Sequence, residues 1–241
     1  MASHVVVLCY HGVSETWPAA TTVTPGRLAD QLEWLVGKGY RGATLADALT
    51  APGDGRTVVV TFDDAHRSVL ALAEPILSEL RLPATVFAPT DYVERAAPMA
   101  WDGYDRWADG AHADELAPMS WDELGGLVER GWEVGSHTRS HPRLTSVDDE
   151  QLAREMVGSR DDCERRLGVA CRSLAYPYSD FDDRVVRAAA EAGYCFAATV
   201  PRAPTAPLPL MWPRVGVYNG DPLWRVGLRL RRRSRVPRAR S

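Results

Sequence analysis

Two carboxylates stand side by side at the end of the run Val58-Val59-Val60-Thr61-Phe62-Asp63-Asp64. Neighbouring carboxylates repel and shift each other's pKa unless a cation or a proton sits between them. Later in the chain, His137 and His141 stand at i and i+4 in Ser136-His137-Thr138-Arg139-Ser140-His141. One helical turn or a tight loop brings such a pair onto one face, close enough to chelate a divalent metal. A carboxylate from elsewhere completes a two-histidine, one-carboxylate set, which leaves coordination positions open, as catalytic rather than structural metals require. Zinc suits imidazole donors well, and the ligand types also admit cobalt, nickel or iron. With a cation present the aspartates divide their work. One binds it, and the other stays free to take a proton from water whose pKa the cation lowers. The bland alternative is a solvated turn with Asp64 as a helix cap.

Elements of the right kind surround these residues. Val58–Phe62 reads as a buried strand, an apolar β-branched run that ends in charge. Side chains alternate along a strand, so at least one of the two aspartates lies just past its end. Val5–Tyr10 is a first strand running into Tyr10-His11-Gly12. Thr24-Pro25 opens a helix with Leu28, Leu32 and Leu35 on one face, closed by Gly39. A helix follows over Ser68–Leu80, with Pro75 expected to kink or restart it. Ala84–Ala88 is the next strand. Residues 89–118, which hold Tyr92, Trp101, Tyr104 and Trp107, read as one long ordered loop and a wall for substrate. Ser120-Trp121-Asp122-Glu123 is a capping box. The spacing then predicts strand Glu133–His137, a long helix Ser146–Leu167, strand Ser173–Tyr176, helix Asp182–Ala192, strand Cys195–Thr199 and, after a proline-rich loop, a last strand Arg214–Val217 and a last helix. Six or seven strands alternating with helices imply a parallel α/β sheet, closed into a barrel or left open, with its site at the strands' C-terminal ends. His11, Asp63, Asp64, His137 and Tyr178 all sit at or just after such ends.

The 241 residues suffice for one sizeable core, and 45% hydrophobic with 25% charged residues is an ordinary globular composition. No apolar run approaches the roughly 18 residues of a membrane span. Met1–His4 shows no basic leader. Four cysteines without Cys-x-x-Cys spacing are then expected reduced and buried, and the chain cytoplasmic. The net charge is −4, yet the stretch from Arg225 to Ser241 holds eight arginines and no acid. We therefore divide the chain into 1–224, a single catalytic domain, and 225–241, an Arg-rich helix end and tail. That tail is suited to weak peripheral contact with anionic membrane or a lipid-linked substrate; no specific nucleic-acid partner is expected.

Thr61-Phe62-Asp63-Asp64, Ser136-His137-Thr138-Arg139-Ser140-His141-Pro142 and Tyr176-Pro177-Tyr178, in this order, resemble the polysaccharide deacetylase superfamily of carbohydrate esterases. The resemblance covers nearly the whole chain. It implies a distorted (β/α)7-type barrel and metal-dependent removal of N-acetyl groups from amino sugars. It implies Asp63 as catalytic base; Asp64, His137 and His141 as ligands of a divalent metal, zinc first; and the backbone N–H of Tyr178 as an oxyanion donor.

The chain also departs from that pattern. Ala65 stands where many members have glycine after the aspartate pair, and Ser179 where many have glycine after Pro-Tyr. Ala175 replaces the arginine that orients the base in many members, and Arg214 is the candidate substitute. Many take a general acid from a Leu-x-x-His near the C-terminus, whereas this chain has no histidine after His141. Leu8-Cys9-Tyr10-His11 carries the pattern at the other end, as in the branch that looks circularly permuted, which makes His11 the candidate acid. The substrate implied is an N-acetylated sugar, small or nucleotide- or lipid-linked if the protein is cytoplasmic. Two other functions remain open on this sequence, a metal-dependent amidase of a non-sugar C–N bond and a catalytically silent carbohydrate-binding protein.

Overall fold

The computed structural model describes residues 4–51, 53–95, 97–203 and 205–233. Its strands are β1 (His4–Tyr10), β2 (Tyr40–Gly42), β3 (Arg56–Phe62), β4 (Ala84–Ala88), β5 (Glu133–Ser136), β6 (Ser173–Ala175), β7 (Phe196–Thr199), β8 (Trp212–Pro213) and β9 (Val215–Gly216). Every pairing between them is parallel, in the order β8-β7-β6-β5-β4-β3-β1-β9, with β2 beside β3. The two ends of that order, β8 and β9, are consecutive in sequence and joined through Arg214. The expected last strand, Arg214–Val217, is found only as β9 on β1, and a two-residue strand just ahead of it that the spacing did not announce, β8, pairs with β7. The sheet thereby curls into a nearly closed barrel, a single α/β domain.

The helices are α1 (Pro25–Gly37), α2 (Leu45–Thr50), α3 (Glu74–Glu79), α4 (Thr90–Arg95), α5 (Trp121–Glu129), α6 (Asp149–Leu167), α7 (Asp183–Glu191) and α8 (Leu223–Arg233). Local chemistry starts and stops them. Thr24 caps α1 through the Arg27 N–H, Ser120 and Glu123 form the reciprocal capping box of α5, and α6 ends on Gly168 at φ 68°. Pro75 restarts rather than kinks: a π-turn over Val69–Ala73 gives way to α3 with the proline in its first turn. The long helix begins at Asp149, capped by Asp148, because Leu144–Ser146 closes a separate 3-10 turn.

Strand alternation sorts the core into two layers. Outward positions Val6, Leu8 and Tyr10 of β1, Val58, Val60 and Phe62 of β3, and Ala84 and Val86 of β4 pack with Leu28, Leu32 and Leu35 of α1 and Leu124 and Leu127 of α5. Inward positions Val7, Val59, Phe87, Ala175 and Ala198 fill the barrel, plugged from below by Leu45 and Ala48 of α2. The inward series runs Val7, Cys9, His11 on β1 and Val59, Thr61, Asp63 on β3. The two strands pair in register from His4↔Arg56 to Tyr10↔Phe62, so His11 and Asp63 emerge at the same height above the plug.

Residues 89–118 are not one loop. They contain α4 and two 3-10 turns, Asp105–Trp107 and Ala113–Leu116. Trp17, Met99, Tyr104 and Leu116 bury a small core of their own there, with Tyr92, Trp101 and Trp107 packed on it. Trp17 reaches it only because Gly12 has no side chain; a Cβ there would lie 2.9 Å from the indole.

All four cysteines are free, but Cys195 is exposed and departs from the expectation that they are buried. The boundary expected after Trp224 falls inside α8, whose Val226 and Leu230 pack into the main core. Arg235, Arg238 and Arg240 of the Arg-rich tail lie outside the described residues. No described helix is long and apolar enough to cross a membrane.

Candidate active site

The site forms where strand geometry stops. Asp63 is still tied to the sheet by its N–H on the Tyr10 carbonyl (2.9 Å), with its side chain on the inward face. Asp64 and Ala65 then turn left-handed, at φ 69° and 53°, which swings Asp64 toward the same opening. Thr138, His141, Tyr178 and Ser179 are left-handed too, so six of the seven non-glycine residues of this kind among the described residues lie on this rim. Such backbone costs roughly 1–2 kcal/mol per residue for an L side chain, and it persists only where surrounding contacts impose it. Ala65 and Ser179 adopt the turn that glycine would make freely.

What imposes it can be named. The loop from His137 to His141 is held by Glu155, a buried residue of α6. Its carboxylate accepts from the Arg139 N–H (2.8 Å), the Ser140 N–H (2.9 Å) and the Ser140 hydroxyl (2.6 Å). Inside the loop, the Thr138 N–H donates to Ser136 Oγ (3.0 Å) and the His141 N–H to Thr138 Oγ1 (3.2 Å). Removing the carboxylate in Glu155→Ala leaves two half-buried N–H groups without an acceptor. It is expected to cost about 2–3 kcal/mol, read as a lower midpoint in urea denaturation.

Asp64 Oδ1, His137 Nε2 and His141 Nε2 converge. The carboxylate oxygen is 3.4 Å from the first imidazole and 3.5 Å from the second. The geometry of those contacts makes neither a hydrogen bond, and Asp64 Oδ1 is buried without a donor. Such an oxygen calls for a cation. His137 Nδ1 donates to the Ala175 carbonyl (2.7 Å), so that in the neutral ring a cation needs, Nε2 is the lone-pair nitrogen facing the gap. Burial alone would lower the His137 pKa; without a cation the two aspartates outweigh it and raise it. Burial, with His137 next in effect, lowers His141 to about 3, so its ring is neutral and able to ligate. One carboxylate oxygen and two imidazole nitrogens within 4.8 Å of one another fit zinc or a similar ion.

Asp63 has a different neighbour. Arg214, fully buried at the break between β8 and β9, donates from Nη1 to Asp63 Oδ1 (2.6 Å) and from Nη2 to Oδ2 (2.8 Å), a bidentate pair. Nη1 also reaches Thr61 Oγ1 (3.0 Å), and the Cys9 thiol donates to Asp63 Oδ2 (3.4 Å). Burial, the largest single influence, would raise the Asp63 pKa; the guanidinium, with His137 and His11 beside it, outweighs it and holds the carboxyl at about 2. His11 Nε2 lies 3.9 Å from Asp63 Oδ2, and burial lowers its pKa against the pull of both aspartates. The structure thus brings His11, Asp63, Asp64, His137, His141, Tyr178 and Arg214 around one cleft of about 470 Å³. Trp101 stacks on the His141 ring at 4.0 Å between centroids, and Tyr178 meets it edge-on at 4.7 Å. Tyr104, Arg106, Arg202 and Tyr218 complete the walls.

Fold and rim together define a nearly closed α/β barrel with a polar cleft at the C-terminal ends of its strands. The chain superposes on the Streptococcus pyogenes deacetylase PplD, solved in complex with acetate, with a TM-score of 0.76 over 93% of this chain and 96% of that one, at 21% identity. On IcaB from Ammonifex degensii the TM-score is 0.72 over 95% and 97%, at 24% identity. Within that barrel architecture the chain belongs to the polysaccharide deacetylase family, whose profile matches residues 50–197. It is 24% identical over 199 residues to a poly-β-1,6-N-acetyl-D-glucosamine N-deacetylase of Staphylococcus epidermidis, covering 77% of this chain and 64% of that protein. A curated relative from Bacillus subtilis is likewise spanned over 63% of its length. This chain therefore spans less than two thirds of either curated relative. The profile leaves out β1, β2, β8 and β9, and with them His11 and Arg214.

Proposed function

We propose that the protein is a divalent-metal-dependent hydrolase that removes the N-acetyl group from an amino sugar or N-acetylated glycoconjugate, releasing acetate and a free amine. The observation that carries this reading is the division of the aspartate pair: Asp64 faces two imidazole nitrogens with an unpartnered oxygen, while Asp63 is clamped by Arg214 beside them. Family membership and the deacetylase relatives support the substrate class.

Asp64, His137 and His141 would hold the cation. When bound, a zinc-like ion polarises the acetamide carbonyl and lowers the pKa of the attacking water. Asp63 takes a proton from that water. With a pKa of about 2 it is too weak a base to keep the proton. His11, resting neutral 3.9 Å away, receives it and passes it to the departing amine. The Tyr178 N–H, at the rim of the cleft, would donate to the oxygen that becomes negative. Trp101, Tyr178 and Tyr218 line the cleft in which a sugar would sit.

The test is mass spectrometry of N-acetylated sugars incubated with zinc-loaded enzyme, with and without chelator. Acetate and free amine are expected in equal amounts, lost on chelation and restored by zinc. Ring opening of a cyclic amide without acetate would make the protein an amidase. Sugar binding without acetate at saturating metal would make it a silent binding protein.

A further inference from the structure

Asp64 carries a second set of contacts that the proposed chemistry does not use. Its Oδ2 accepts the Tyr104 hydroxyl proton at 2.8 Å. The Tyr104 oxygen accepts in turn from His66 Nε2 at 2.9 Å, and His66 Nδ1 donates to the Glu115 carbonyl at 2.9 Å, so the row closes with a proton on both imidazole nitrogens. All three side chains are buried, His66 and Asp64 almost completely. The row is clamped at both ends. His66 stands in the turn after the aspartates, whose neighbours bond the far segment through Met119 N–H on the Ala65 carbonyl (2.8 Å) and Arg67 N–H on the Ala117 carbonyl (2.9 Å). The Tyr104 ring is sandwiched by Trp101 (5.2 Å) and Trp17 (5.6 Å).

A carboxylate with both oxygens free can pivot between one-oxygen and two-oxygen coordination. Here Oδ2 is engaged by Tyr104, whereas Oδ1 has no donor and faces His137 and His141. We propose that Tyr104, braced by His66, is a positioning residue that fixes Asp64 as a one-oxygen ligand, with Oδ1 presented to the cation and the remaining positions left for water and the acetamide oxygen. The inference rests on the cation site proposed above and assigns the segment 97–118 a task beyond walling the cleft: it brings the outer support of the metal centre. A hydroxyl or imidazole of this kind, which orients a ligand without touching the ion, typically changes metal affinity by about 10- to 100-fold when removed.

The test is zinc affinity, measured by competition with a chromogenic chelator on purified wild type, Tyr104→Phe, His66→Gln and the double variant, alongside the unfolding temperature of each with and without zinc. Tyr104→Phe keeps the ring between its tryptophans and removes only the hydroxyl. We expect its zinc dissociation constant to rise at least tenfold and the zinc-induced gain in unfolding temperature to shrink. His66→Gln should weaken binding less, and the double variant should be no worse than Tyr104→Phe, since both act through one hydroxyl. If wild type binds one zinc and Tyr104→Phe binds it within threefold as tightly, the positioning role is overturned while the metal site stands. If wild type binds no zinc, the site itself fails. A purely structural role would lower the metal-free unfolding temperature and leave affinity unchanged. Should Tyr104→Phe not fold, unchanged affinity in His66→Gln would overturn the inference on its own.

Discussion

An Asp63→Asn enzyme is expected to retain one equivalent of zinc and to lose about 10³-fold in kcat/KM for an N-acetylated sugar, within the range a positioned general base contributes. The amide cannot take the proton of the attacking water, and it disturbs its own support. Its oxygen can accept from Arg214 Nη1, but its NH₂ then points at Nη2, donor against donor, where Asp63 Oδ2 now accepts at 2.8 Å. Removing one partner of a buried ion pair costs about 3–5 kcal/mol. Activity must therefore be measured well below the variant's own unfolding temperature, with zinc content determined on the same sample. Turnover near the wild-type rate would rule out Asp63 as the base. Loss of zinc together with turnover would move Asp63 onto the metal.

The barrel and its rim were readable in sequence for a physical reason. Parallel strands buried on both faces leave uninterrupted apolar runs, and the first polar residue after each run marks the strand's C-terminal end. That rule brought His11, Asp63, His137 and Tyr178 to one face before any coordinates. Arg214 could be nominated because it opens the last strand, but its reach depends on the break between β8 and β9, which two-residue strands do not announce. The turn that aims both aspartates, left-handed at Asp64 and Ala65, is unfavourable for those residue types, so local preference argues against it.

Glu155 and His66, and the contact of the wall residue Tyr104 with Asp64, were missed because their partners are distant in sequence and lie on loops without periodicity. For Glu155 a signal existed. It shares the buried face of α6 with Leu152, Met156, Ser159 and Cys163, and a charge on an apolar helix face needs a partner inside. His66 and Tyr104 offered no such pattern. Their pairing follows only from how the segment 97–118 folds back over the aspartate turn.

Arg214→Met should be the most destabilising substitution on the rim, and its pH dependence identifies the cause. In the wild type, Asp63 is held at about 2 against an ordinary value of 3.8. A depressed carboxylate contributes stability that is present above its unfolded pKa and lost as pH falls toward the folded one. Here that contribution is about 2 kcal/mol at neutral pH, lost between about pH 4 and pH 2. Burial is already the largest single influence on Asp63; without the guanidinium only the weaker pulls of His137 and His11 oppose it, and the pKa is expected to rise above 3.8. The sign then reverses: the variant keeps its stability in acid, where Asp63 is protonated, and loses it as pH rises through the new value. The wild-type advantage is expected to be about 3–5 kcal/mol at pH 7 and to narrow steadily toward pH 4. Urea denaturation of metal-free protein at several pH values measures it. Arg214→Lys should recover part of the stability, because an ammonium restores the charge but cannot donate to both oxygens in the plane of the carboxylate. Activity should recover less, since orientation of Asp63 depends on the two-point clamp. A stability difference that does not change with pH would mean that Arg214 acts through packing against Phe87, 5.4 Å from its guanidinium, rather than through the Asp63 charge.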